Sequence, residues 1–540
     1  MADQYSLALV NATAWIGPGQ WLEGATVLVR DGVIESIGKD LDTSQVATVI
    51  DAGGASLLPA FGEGHSHPMH AGVREQFAPV AGTKSLSELL SNLKAWADAH
   101  PEEEWVQGWG YDPALAENGC FDAKWIDEVI PDRPVLLRAT DYHTVWCNSL
   151  AMERAGITAD TPQPADGEIV LREDGSPMGT LREWGATELV FSVAPEISLE
   201  RKVEALRWAA EEFLSAGITW IQDAWVEPED LVPYFALAER GLPNRFNLGL
   251  RVDPKSYRDQ VKECCEIRDR VNALGNPRLT ANTVKIFADG VIESGTAAML
   301  EPYHDCPTSH GMPNFTDEEL TDAVVRFDRE HFQVHIHAIG DRAIRIALDA
   351  FEAAITQNGA WDRRPTIAHS QLIDEADLAR FAALGVIANF EPLWAQLDPL
   401  QTRLTIPRIG EERGDRQYPI ATLLGLGARI SFGSDWPVSD YRPLAGMAVA
   451  VTRLNAQRQP ENGWQPHERI SLEQAIEAYS MGTAYQAFAD HQRGRLEAGR
   501  TADMVLVEGD IRKVDPYTLG EVQVLRTFID GVEAYRATES

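Results

Sequence analysis

The sequence has few cysteines and no long apolar run. Its five cysteines are an odd number, lie scattered along 540 residues and include no C-x-x-C pair. A disulfide framework is therefore not expected, which is typical of a protein in a reducing compartment, and we expect a cytoplasmic location. No apolar stretch is long enough to cross a bilayer, and the polar, acidic start lacks the basic and apolar segments of a signal peptide.

Positive charge is also scarce. There are 47 Lys and Arg residues against 82 Asp and Glu, which gives a formal net charge of −35. A charge of this sign repels nucleic acid and anionic membranes, so we expect neither as a partner. The composition, 44% hydrophobic and 24% charged, is that of an ordinary globular protein, and the length predicts several domains or one large barrel with additions.

One short stretch, residues 57–67, combines an apolar run with His65-Ser66-His67 at its end. Alternate residues of a strand point to the same face, so a strand here would present both imidazoles together. Two neutral imidazoles on one face supply half of the ligands of a zinc site. Two histidines can also fall at this spacing in a loop, so the metal hypothesis requires further ligands from the rest of the chain.

Seven further strand candidates follow, most of them separated by helical stretches. They lie at residues 217–223, 246–252, 283–290, 333–337, 366–369, 386–390 and 429–435. One helix is predicted from Asp341 as its N-cap, and another over 374–384, closed by Gly385. With the first stretch this makes eight strand–helix units, which predicts an α/β fold of the TIM type, a (β/α)8 barrel.

Both ends of the chain have short β-rich runs. We predict that residues 1–58 and 487–540 form one small β-sandwich domain and that residues 59–486 form the barrel. Residues 70–215, between the first two barrel strands, do not alternate strand and helix regularly. We interpret them as an insertion that roofs a site.

Reactive groups of a (β/α)8 barrel lie at the carboxyl ends of its strands. The late positions of five candidate strands hold residue types that bind or tune a metal: His65, His67, Lys285, His337, His369 and Asp435. Structural alternatives exist for several of these residues. Lys285 could pair with Asp289 or Glu293, Asp435 could cap a helix, and His369 could be a buried histidine held by hydrogen bonds. His335 would lie one layer deeper than His337 and is interpreted as a filler or supporting group.

The motifs around these residues resemble the amidohydrolase superfamily. The phrases VKIFADG (284–290), HAIGDRA (337–343) and GSDWP (433–437) are similar to amidohydrolase family 3, the branch that includes N-substituted formamide deformylases. The resemblance covers nearly the whole chain. It implies that His65 and His67 bind one metal ion, that His337 and His369 bind a second, and that a carboxylated Lys285 bridges the two, which would be zinc.

The resemblance also assigns catalytic roles. Asp435 would bind metal and shuttle a proton, and His143, in DYHTVWCN (141–148), would polarise the scissile carbonyl. A metal-bound hydroxide would then attack that carbonyl, and Asp435 would protonate the departing nitrogen. The expected substrate is a small amide or N-substituted formamide. It would carry an aromatic or apolar group if several tryptophans line the pocket, the candidates being Trp105, Trp109, Trp146, Trp184, Trp225, Trp394 and Trp436.

Two other functions fit parts of the pattern. A deaminase of an amino-substituted ring would keep the barrel but use one metal ion, which leaves no role for a bridging Lys285. A catalytically silent binding protein would retain the histidines without their chemistry, which the complete ligand set argues against.

Barrels of this size often pair, so a homodimer is possible.

Overall fold

The computed structural model describes residues 5–538. Its centre is a parallel sheet of eight strands in which each strand pairs with the next along the chain, so that the sheet curls into a nearly closed barrel. This confirms the predicted eight-stranded barrel. The strands are Phe61–Ser66, Ile218–Val226, Arg245–Arg251, Leu279–Phe287, Gln333–Ala338, Thr366–His369, Ile387–Phe390 and Arg429–Phe432.

The seam between the eighth and the first barrel strands is held by the segments that follow them. The Asp435 amide donates to the carbonyl of His65 at 2.8 Å, and the His67 amide donates to the carbonyl of Trp436 at 2.7 Å. Gly64 permits this close approach, because a Cβ there would lie 2.8 Å from the carbonyl oxygen of Phe432. The seam therefore brings the H-x-H pair and Asp435 together.

Helices cover the outside of the barrel after its second strand. The longer ones are Leu231–Arg240, Tyr257–Ala273, Asp317–Arg329, Asp341–Asn358, Glu375–Leu384, Ile420–Gly425, Pro443–Thr452 and Leu472–Glu477. The predicted ends of the helix at 375–384 are confirmed, since Asp374 accepts from the Ala376 amide and Gly385 adopts a left-handed φ of 68°. The prediction that Asp341 is an N-cap was wrong. Gly340 occupies that position, and Asp341 instead accepts from the Leu300 amide at 2.8 Å.

Strands from both ends of the chain join in one eight-stranded sheet. They are Tyr5–Gly17, Gln20–Arg30, Val33–Lys39, Val46–Asp51, Ser56–Pro59, Met504–Val507, Val524–Ile529 and Val532–Arg536. The strand Ser56–Pro59 connects the two ends, because it pairs with Tyr5–Gly17 on one side and with Met504–Val507 on the other. The next residues enter the first barrel strand. The sandwich form and the domain boundaries stay predictions.

The segment between the first two barrel strands contains a third sheet, of five strands, which was not predicted. They are Val106–Tyr111, Val135–Ala139, Thr144–Cys147, Glu168–Leu171 and Pro177–Arg182. The helices of this segment are Pro68–Arg74, Leu86–Ala99, Ala123–Asp127, Ser149–Arg154, Trp184–Phe191 and Leu199–Ser215. The sheet has its own buried apolar clusters.

Within residues 5–538, no helix combines the length and apolarity needed to span a membrane.

Candidate metal centre and active site

Three of the predicted ligands meet at the seam of the barrel. The Nε2 atoms of His67 and His65 lie 2.9 and 3.4 Å from Oδ1 of Asp435, and all three side chains are buried. Two ligand atoms that bind zinc tetrahedrally at about 2.0–2.1 Å are themselves about 3.4 Å apart. Although His67 Nε2 lies this close, no hydrogen bond of good geometry reaches the buried Asp435 Oδ1 within residues 5–538. A divalent cation among these atoms would satisfy it, so the donor set fits a metal ion.

Lys285 extends from the fourth barrel strand into the same cluster. Its Nζ lies 3.1 Å from Nε2 of His65, and the side chain is fully buried. Burial lowers the pKa of Lys285 to about 7. The alternative pairing with Asp289 or Glu293 is not formed, because Asp289 accepts three backbone amides and Glu293 accepts the Thr405 hydroxyl.

His337 and His369 lie at the carboxyl ends of the fifth and sixth barrel strands, with ring centroids 4.5 Å apart. His369 Nδ1 lies 3.0 Å from Oε2 of Glu391, and His337 Nε2 lies 3.1 Å from the carbonyl oxygen of Gly290. Metal-binding histidines commonly donate one ring N–H in this way and offer the other nitrogen to the ion. Each ring therefore keeps one nitrogen for a second cation.

His335 lies against His65, with Nε2 2.8 Å from Nδ1 of that ring. The structure thus places it one layer deeper than His337 on the same strand, where it holds the ring of His65. Burial, followed by the nearby Lys285 ammonium, lowers the pKa of both His65 and His335 well below the ordinary value. These rings are therefore neutral, which is the form that binds metals.

His143 reaches the site from the insertion, just before the strand Thr144–Cys147. Its Nδ1 donates to Oε2 of Glu183 at 2.9 Å, and both side chains are about 5% exposed or less. Burial alone would lower the pKa of His143, but the Glu183 carboxylate and its hydrogen bond outweigh burial and raise it. The ring centroid is 5.5 Å from that of His337, so His143 faces the predicted ligands.

Glu183 has an unusual backbone conformation. Its φ is 58°, a left-handed conformation that is uncommon for a residue with a side chain, and such conformations cluster at functional sites. Gly290 makes room for its carboxylate, because a Cβ at that position would lie 2.5 Å from Oε1 of Glu183.

A cavity of about 380 Å³ opens onto these residues. It is lined by His65, His67, His143, His337, His369 and Asp435 together with apolar side chains. Of the seven candidate tryptophans, Trp225 and Trp394 line it, and Trp394 stacks on His369 with the ring planes 1° apart. Trp184 lines a neighbouring cavity. Tryptophans therefore line the cavity, as predicted, but only two of the seven candidates do so.

Three supporting carboxylates were not predicted. Glu183 and Glu391 orient His143 and His369, and Glu63 fastens the seam by accepting the amides of His65 and Ser434. Glu63 and Glu391 each lie beside a predicted strand end, and an acid among buried residues is a signal that could have identified them. No local pattern pairs Glu183 with a histidine 40 positions earlier.

Comparisons with known proteins agree with this geometry. A family model described as the amidohydrolase family, of the family 3 type, matches residues 48–535. The chain is 29% identical to a putative amidohydrolase, YtcJ, of Bacillus subtilis, over 94% of this chain and 95% of that protein. It is 27% identical to the N-substituted formamide deformylase of Arthrobacter pascens, over the full length of both.

A solved structure shares the fold. The uncharacterised metal-dependent hydrolase of Pyrococcus horikoshii superimposes with a TM-score of 0.73 at 23% identity, covering 94% of this chain and 99% of that one. The family match spans most of the residues, and the motifs that carry it lie at the strand ends described above. The chain belongs to the amidohydrolase family, in the family 3 branch, and is a hydrolase that acts on carbon–nitrogen bonds.

Proposed function

We propose that this protein hydrolyses the non-peptide C–N bond of an amide or N-substituted formamide with the help of divalent metal ions. One observation carries the proposal. Two imidazoles, a carboxylate and a lysine amine converge in a buried cluster at the seam, where no well-formed hydrogen bond from the described residues satisfies Asp435 Oδ1. Such a donor set suits zinc.

The arrangement supports two ions. His65 and His67 would hold one, His337 and His369 would hold the other, and Asp435 would bind beside the first. Lys285 would bridge them after its amine has taken up CO2, a reaction that needs the neutral amine. A pKa of about 7 for Lys285 makes that form abundant at neutral pH.

When bound, the metal ions would supply a water molecule of lowered pKa and polarise the substrate carbonyl. Asp435 would take a proton from the attacking water and deliver it to the departing nitrogen. His143 would donate from its second ring nitrogen to the carbonyl oxygen, since Glu183 accepts at Nδ1. The buried position of both groups keeps bulk water from competing.

The size and lining of the cavity favour a small substrate that carries an apolar group. Its volume of about 380 Å³ lies at the small end of the usual range for ligand pockets, and Trp225, Phe287 and Trp394 form apolar walls. The relative from Arthrobacter pascens, by its name, acts on N-substituted formamides. A formamide with an aromatic nitrogen substituent is therefore the first substrate to test.

Metal analysis and a hydrolysis screen test this proposal together. Metal-loaded protein should contain about two ions per chain and should release amine from aryl or alkyl formamides, N-acyl amino acids or cyclic amides. One ion with ammonia release from an amino-substituted ring would favour the deaminase instead. No ion and no turnover after careful loading would leave the binding-protein alternative.

Light scattering tests the predicted homodimer, and fractionation of cells tests the cytoplasmic location.

A further inference from the structure

A cluster of arginines lies at the end of the barrel opposite the metal centre. Arg429 begins the eighth barrel strand, and Arg493, Arg495 and Arg500 follow the helical segments that end at Gln486. Together they line a cavity of about 430 Å³. The cavity also contains two carboxylates, Glu477 and Asp490, so its side chains carry more positive than negative charge in a protein of net charge −35.

Three of these guanidinium groups lack a carboxylate partner. Within residues 5–538, no Asp or Glu oxygen lies within 4.0 Å of Arg429, Arg493 or Arg495, whereas Arg500 pairs with Glu497 at 2.8 Å. Nη1 of Arg493 is buried and has no hydrogen-bond partner among the described residues, and the carboxylates of Asp503 and Asp530 attract this group only from beyond 4.0 Å. A buried donor nitrogen without an acceptor is costly, which is a reason to expect a ligand for it.

The two acids of the cavity leave its four arginines in excess. Asp490 is already bound by Arg364, with Nη1 2.7 Å from Oδ1. Burial, followed by the neighbouring Glu473, raises the pKa of Glu477, and Arg495 acts in the opposite direction from beyond 4.0 Å. Arg429 stacks over the ring of Tyr485 with its Cζ 4.4 Å from the centroid, which fixes that guanidinium at the rim.

We infer that this cavity, which we term the basal arginine pocket, binds a small multivalent oxyanion, namely a phosphate group. Several guanidinium groups around one cavity match a phosphate, whose oxygens accept paired N–H donors from more than one direction. The volume exceeds that of inorganic phosphate, so the phosphate of a small organic ester would also fit. The site is distinct from the metal centre, because it lies at the amino-terminal ends of the strands.

Calorimetric titration of the full-length, metal-loaded protein tests the inference. Inorganic phosphate and adenosine monophosphate would be titrated separately at constant ionic strength set with sodium chloride. We expect one anion bound per chain for at least one of the two probes. Arg493→Gln and Arg495→Gln should each weaken binding by about tenfold or more, the usual cost of a lost charged hydrogen bond. Arg495 is exposed, so its replacement leaves the fold intact even if the Arg493 variant is unstable.

Two further variants locate the bound anion. Arg154→Gln, which changes an arginine 59% exposed in the insertion, should bind as tightly as the original protein. His67→Ala should also retain binding, whereas phosphate held at the metal centre would be lost with it. The inference is overturned if neither probe binds at concentrations of a few millimolar, or if both arginine variants bind normally.

Discussion

Replacement of Glu183 by Gln is the most informative perturbation of the proposed active site. The substitution keeps the size of the side chain but removes the charge that faces Nδ1 of His143 at 2.9 Å. A charged hydrogen bond in a buried setting contributes about 1.5–3 kcal/mol. If that interaction holds His143 for the transition state, turnover should fall by about 10- to 100-fold.

The expected loss is in kcat rather than in KM, because His143 would act on the developing charge of the carbonyl oxygen. The pH profile should move as well. Glu183 raises the pKa of His143, so its removal lowers that pKa, and activity that needs the protonated ring is lost at a lower pH. Steady-state kinetics on the substrate identified in the screen, measured across pH, would record both effects.

Control variants distinguish a loss of His143 orientation from a general loss of folding or metal binding. Glu188→Gln changes an exposed acid on the short helix that Glu183 precedes and should leave kcat and metal content unchanged. In a double-mutant cycle, Glu183→Gln should add little to the loss caused by His143→Ala, because the two residues act together. The reasoning would be refuted by a folded Glu183→Gln protein with normal metal content and unchanged kcat and pH profile.

Three further substitutions probe the site and its supports. Asp435→Asn should reduce turnover by about 10²–10⁴-fold, the usual contribution of a general acid or base, and unchanged steady-state turnover would exclude the proton-shuttle role. Lys285→Ala should lower the metal content below that of the original protein in elemental analysis, whereas Lys262→Ala, 86% exposed, should not. Gly340→Ala should destabilise the fold by about 1–3 kcal/mol in thermal unfolding, because its Cβ would lie 2.0 Å from a backbone oxygen. Gly425→Ala, with open space at the same position, is the matched control.

The barrel could be predicted because its signals are local. Short apolar runs separated by helical periodicity identify strands without knowledge of their neighbours, and the eight predicted strands are the eight observed. The clustering of the candidate ligands could be predicted in the same way, since parallel strands present their carboxyl ends at one edge. His65, His67 and Asp435 were therefore placed together before any contact between them was known.

The supporting contacts could not be predicted, because they join residues that are distant in the chain and carry no shared pattern. The sequence between residues 70 and 215 shows mixed strands, glycines and tryptophans, and its five-stranded sheet depends on pairings such as that of Thr180 with Trp146. That sheet sets His143 against Glu183. The prediction that Asp341 caps its helix failed for a similar reason, because the carboxylate is engaged by the distant Leu300 amide.

The position of the candidate metal centre at the barrel seam would couple metal binding to folding. The eighth and first barrel strands lack a regular ladder between them, and the hydrogen bonds that join them come from Glu63, His65, Asp435 and their neighbours. Ligands from both sides of the seam would share one ion. A cation that binds only the folded arrangement stabilises it by mass action. The residues that would perform the chemistry are therefore also those that close the barrel. For any substitution at the seam, stability and metal content must be measured before a loss of turnover is assigned to catalysis.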